Sequence, residues 1–203
     1  MRRQPDQRSA APSKQKSSRN RWTLLVLAAL FLAPMIAALL WRPSGYVNSG
    51  DLVEPPRPLT EIGVRTLGGQ SFNISELRSK WTLVHFASSC DQTCEAVLSI
   101  MRRVRLAQSK NARRVQNVLV VSDVDTSTVH LSTLPEILVL TAGAEALDRL
   151  AVQFNDPFGD PFSTGRVYVV DPLGNLMMSF SADADPSDMR KDLVRLLKVS
   201  QIG

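Results

Sequence analysis

W-T-L-V-H-F-A-S-S-C-D-Q-T-C-E, residues Trp81 to Glu95, decides how this chain is read. Its first part, Trp81 to Ser89, is nearly continuous in apolar residues, the pattern of a strand covered on both faces rather than one with a wet side. The run stops at Cys90. From Cys94 to about Lys110, the residues Ala96, Val97, Ile100, Met101, Val104, Leu106 and Ala107 recur at helical spacing, with Arg102, Arg103 and Arg105 between them. A buried strand thus hands over directly to an amphipathic helix, and both cysteines of the chain stand at the handover.

Towards the N-terminus, Ile62 to Thr66 and Ser71 to Ile74 read as a short hairpin around Leu67-Gly68-Gly69-Gln70, followed by a helical turn over Ser75 to Ser79. Towards the C-terminus, Val115 to Ser122 reads as a second buried strand and Glu136 to Leu140 as a shorter third. Ala144 to Phe154 is helical. Arg166 to Asp171 and Leu176 to Phe180 form a hairpin across Pro172-Leu173-Gly174-Asn175, and Asp188 to Val199 closes the chain as a helix capped by Asp185 or Ser187. This order predicts an α/β fold, a sheet with helices on both faces. A right-handed crossover sets Val115 to Ser122 parallel to Trp81 to Ser88, with the cysteine loop at the carboxyl end of the strands, where sites gather in such sheets.

The N-terminal third reads differently. Residues 1–21 are rich in Ser, Gln, Arg and Lys and are expected to be disordered. Trp22 to Trp41 carries no charged residue and, at about 1.5 Å per residue, matches a hydrocarbon core of about 30 Å, so a transmembrane helix is expected over 22–41, with Pro34 tolerated inside it. A cleaved signal peptide would have a shorter apolar core and a small-residue cleavage site, and neither is present. The basic cluster ahead of Trp22 predicts a cytoplasmic N-terminus and a C-terminal domain on the far side of the membrane. Residues 42–59, with their Gly and Pro, read as a juxtamembrane linker, and 60–203 as the globular domain.

The chain carries a net charge of +5, but the excess sits at one end. Arg2, Arg3, Arg8, Lys14, Lys16, Arg19, Arg21 and Arg42 face only Asp6, which leaves 16 of 24 basic and 18 of 19 acidic residues for the rest. A near-neutral domain behind a basic tail argues against nucleic acid as a partner and for a lipid bilayer.

Cys90 and Cys94 are spaced C-x-x-x-C. In a helical first turn, positions i and i+4 share a face about 6 Å apart, close enough to share a metal or to join. The helix N-terminus favours thiolate, hence nucleophilic attack and soft-metal binding. Two buried structural thiols, or an inert disulfide outside the cytosol, are the bland alternatives. A bridge over so few residues removes little unfolded-state entropy, which weighs against a purely stabilising role.

The run K-W-T-L-V-H-F-A-S-S-C-D-Q-T-C, followed by a helix and later by V-Y-V-V-D-P-L-G-N-L, resembles the Sco/SenC proteins, thioredoxin-fold copper chaperones and thiol reductases of cytochrome c oxidase assembly, over roughly Leu59 to Val199. The resemblance implies a thioredoxin-like fold with a central mixed sheet flanked by helices, behind one transmembrane helix. It implies that Cys90 and Cys94 match the copper-binding cysteines, and that Asp171-Pro172-Leu173-Gly174 matches the turn before the last strand. Two departures matter. Ser163 stands where the family places its copper-binding histidine, and Asp91 stands where a proline usually follows the first cysteine.

The two histidines of the chain are His85 and His130. His85, inside the strand, is expected to be a core histidine. His130, in the loop leaving the second strand, is the candidate third metal ligand beside Cys90 and Cys94. Met177 and Met178 are expected in the core. Two thiolates suit Cu(I) but not stable Cu(II). The expected function is therefore assistance to cytochrome c oxidase assembly at a bacterial inner membrane, from the periplasmic side. It would work by thiol-disulfide reduction of the oxidase copper site or by Cu(I) delivery, with an oxidase subunit or another assembly factor as partner. Exposure and first position favour Cys90 as the attacking sulfur. A non-catalytic scaffold and a peroxidase-like thiol enzyme are the competing readings.

Overall fold

The computed structural model describes residues 17–40, 48–122 and 136–200. The chain divides into two compact units, the first ending at Tyr46 and the second starting at Val47. The first is helix α1 (Ser17–Leu40), with Pro34 inside it and Trp22, Leu24, Phe31 and Met35 exposed. Helix α1 begins on the polar run S-S-R-N-R, ahead of the apolar stretch, and Trp41 lies outside the described residues. Among the described residues no helix is long and apolar enough to cross a membrane.

The second unit is built on strands β1 (Asp51–Pro58), β2 (Val64–Thr66), β3 (Ser71–Phe72), β4 (Trp81–Ala87), β5 (Val115–Val121), β6 (Ile137–Thr141), β7 (Val167–Val170) and β8 (Asn175–Phe180). They form one mixed sheet in the order β1-β8-β7-β4-β5-β6-β2-β3. Strand β4 runs parallel to β5 and antiparallel to β7, and every one of its residues is buried. Side chains alternate across a strand. Accordingly Trp81, Leu83 and Ala87 join a core with Leu98, Met101 and Val104 of helix α2 (Gln92–Leu106) and Met189, Leu193 and Leu197 of helix α5 (Pro186–Val199). Val84 and Phe86 join a second core with Leu147, Leu150 and Phe154 of helix α3 (Ala144–Phe154). Phe86 lies 4.9 Å from Phe154, 5.2 Å from Phe162 on the short helix α4 (Pro161–Thr164) and 5.9 Å from Tyr168. Burying one such ring is worth about 1.5–3 kcal/mol, so β4 is the axis from which both layers hang.

Three expectations are corrected. Asp51–Pro58, read as linker, is a strand of the sheet: it pairs antiparallel with β8, Asp51 opposite Ser179 and Pro58 opposite Asn175. An edge strand bonds on one side alone, so it tolerates prolines that would break a central one. The helix expected to reach Lys110 stops at Leu106, and a 3₁₀ turn over Ser109–Arg114 follows, because Ser109 takes a φ of 53° that an α-helix cannot hold. Cys90 lies ahead of α2 rather than within it. The β7–β8 hairpin is closed by Asp171, whose Oδ1 accepts from the N–H groups of Leu173 (2.9 Å) and Asn175 (2.8 Å), with Gly174 at φ 89°. Met177 is the bulged residue of that hairpin, since Val169 faces Met178 and Val170 faces Leu176.

Candidate functional site

The site grows from the end of β4. Ala87 is the last strand residue, exposed Ser88 and Ser89 follow, and the chain turns through Cys90 into the N-cap of α2. The cap is Asp91. Its Oδ1 accepts from the backbone N–H of Thr93 and of Cys94, each at 3.0 Å, which satisfies two of the first-turn donors that have no partner within a helix. Cys94 thereby sits in the first turn with its side chain facing back towards Cys90. The two are joined as a disulfide with Cα atoms 5.0 Å apart.

Both cysteines are nearly covered, Cys90 at 3% and Cys94 at 4% exposure, and both belong to the core shared by α2, α5 and the sheet. The expectation that exposure singles out Cys90 is therefore corrected: packing covers the two sulfurs alike. The cover is thin on one side, because Ser88, Ser89, Asp91, Gln92 and Thr93 are all exposed.

The remaining candidates fall as follows. His130 lies outside the described residues. His85 is the core histidine expected: it is buried, and its Nδ1 donates to the Arg166 carbonyl at 3.1 Å. Burial holds its imidazole below the ordinary pKa, and the bond to Arg166 offsets this in part. Ser163 is exposed on α4, with its hydroxyl donating to the Asp160 carbonyl at 2.9 Å. Met178 is fully buried, and Met177 packs against the same core. Among the described residues no group of three or more His, Cys, Asp or Glu side chains could hold a metal ion. Two sulfurs without an imidazole fit Cu(I) once the bridge is reduced, and do not fit stable Cu(II).

Sequence reading missed two elements around the site. Asp91 was read only as a missing proline, although Asp just ahead of an amphipathic run is a strong N-cap signal. Arg166 was read as the first residue of a strand; it is 5% exposed, pairs with Asp51 and with Asp156 (3.4 Å), donates to Ser179 Oγ (3.1 Å) and lies 4.0 Å over the Phe158 ring. It fastens β1, β8 and the loop that carries α4 together, from the position just ahead of β7 whose carbonyl meets His85. No periodicity announces such a long-range clamp.

The arrangement is similar to that of solved structures of several names. Bradyrhizobium japonicum ScoI with copper bound aligns with a TM-score of 0.55 at 19% identity, over 68% of this chain and 98% of that one. Apo Sco1 from Thermus thermophilus aligns at 0.56 and 20%, over 76% and 98%. A thiol:disulfide interchange protein of the thioredoxin family from Chlorobium tepidum aligns at 0.55 and 19%, over 71% and 98%. At these identities the likeness shows a thioredoxin-like fold. No curated protein matches the chain. A family model described as "Transmembrane-like, thioredoxin-like, C-terminal domain" matches residues 81–200, more than half of the sequence and the whole stretch from β4 to the end of α5, and the chain belongs to that family.

Proposed function

We propose that this chain is a membrane-anchored, Sco-like thiol-disulfide protein that assists cytochrome c oxidase assembly from the periplasmic side of a bacterial inner membrane. The observation that carries the reading is the formed Cys90–Cys94 bridge at the carboxyl end of the central strand, where a helix begins. Reduced, the pair acts on a disulfide in the copper site of an oxidase subunit: one sulfur attacks, a mixed disulfide forms, and the other cysteine resolves it, leaving the target as a dithiol and this chain as the disulfide. In the delivery version the same two thiolates carry Cu(I) as cargo. The charge-free stretch from Trp22 to Trp41, the exposed apolar side chains of α1 and the transmembrane-like description of the family support the anchor. The arginines and lysines ahead of Trp22 support a cytoplasmic tail.

The near-complete cover of both sulfurs favours a second reading, a non-catalytic scaffold that kept the fold and the anchor. Replacing both cysteines by serine separates the two. Loss of oxidase activity in cells expressing Cys90→Ser/Cys94→Ser, at unchanged protein level, is the expected result; full activity would leave only the scaffold.

A further inference from the structure

Two electrons that break the Cys90–Cys94 bond place negative charge on sulfur at the start of α2. The first-turn N–H groups of a helix ordinarily stabilise such an anion, because they have no partner in the helix and carry its positive end. Here the N–H groups of Thr93 and Cys94 are already taken, each by Asp91 Oδ1 at 3.0 Å. The acceptor that takes them is a carboxylate on the residue next to Cys90. Glu95 adds a second acidic side chain in the same turn, while the basic residues of α2, Arg102, Arg103 and Arg105, stand towards its far end. Helix α5 begins in a comparable way, with Asp185 accepting from Ser187 N–H at 2.7 Å, but no sulfur is there to respond.

We propose that Asp91 is a positioning residue that sets the redox balance of the bridge: it occupies the amide donors and adds the charge that together disfavour a sulfur anion, and so makes the reduced pair the stronger electron donor. This rests on the thiol-disulfide reading above and gives it a direction. Balanced against glutathione, the bridge and two thiols yield the protein dithiol and one glutathione disulfide, and Asp91 holds that equilibrium towards the bridge.

The test is the fraction of full-length chain reduced across a series of glutathione redox buffers, read by alkylation and mass. Asp91→Asn and Asp91→Ser both retain an N-cap oxygen while removing the charge. Both are expected to move the equilibrium about threefold towards the dithiol, the scale of a charge at an exposed helix end, or about 14 mV for two electrons. The gap to the unchanged chain should shrink at about 1 M salt, where screening acts within a few Å. Asp185→Asn, the same change at α5, should leave the equilibrium where it was. An unmoved equilibrium in both Asp91 variants overturns the proposal, and so does an equal shift from Asp185→Asn, which would make the effect one of overall charge. Failure of the redox reading itself shows elsewhere, as unchanged oxidase activity in the double serine chain.

Discussion

Helices α2 and α5 pack into the same core on one face of the sheet, and they start alike. Each has an aspartate N-cap, Asp91 or Asp185, that accepts from the N–H two residues on, and each carries a further acid in its first turn. What differs is what fastens each helix to the rest of the domain: a mid-helix side chain in α5 and a first-turn residue in α2. At α5 the fastener is Asp192, fully buried, whose Oδ2 accepts from the N–H groups of Ser49 (2.6 Å) and Gly50 (3.0 Å), while Oδ1 accepts from Arg195 (2.8 Å). At α2 the fastener is the bridge to Cys90. The first is permanent under any redox condition. The second is a disulfide, a bond that a reductant can open and an oxidant can close.

Breaking the permanent fastener should do the most damage. Asp192→Ala leaves the buried Gly50 amide and the part-buried Ser49 amide without this acceptor and is expected to cost about 3 kcal/mol, read as a lower midpoint in chemical denaturation. Opening the other fastener should cost less. Reducing the bridge frees a loop of only a few residues, worth about 2 kcal/mol of unfolded-state entropy, so the thermal midpoint with and without reductant should fall by less than it does in Asp192→Ala. A larger fall on reduction would mark the bridge as a staple and strengthen the scaffold reading. The smallest effect concerns the strand that leads into α2. Burial makes the folded His85 harder to protonate than its unfolded counterpart, so the stability of the neutral ring is complete above about 6.5 and is lost as pH falls below that value. The midpoint of the unchanged chain should drop between pH 7.5 and 5.5 more steeply than that of His85→Phe; parallel curves would remove His85 as the cause.

Much of this was legible in the residues because it is local. The apolar run of β4 announced a strand buried on both faces, helical spacing announced α2, α3 and α5, and D-P-L-G-N announced the tight turn between β7 and β8. The position of the cysteines between strand and helix needed nothing but the order of those elements. Other features depend on distant partners. Prolines hid β1, whose strand character comes from β8, more than a hundred residues away. The cover over Cys90 and Cys94 comes from a core assembled by α2, α5 and the sheet together, so an exposed attacking sulfur was expected where none stands out. Nothing in the spacing of α5 singles out Asp192, since the amides it holds belong to the far end of the domain.

The make-up of β1 has a further consequence for how this domain meets other molecules. It is the outermost strand on one side, and Pro55, Pro56 and Pro58 have no N–H to offer an approaching chain. The opposite border is β3, only two residues long. Both margins are poor templates for another strand, so growth into fibrils by sheet extension is disfavoured at both sides.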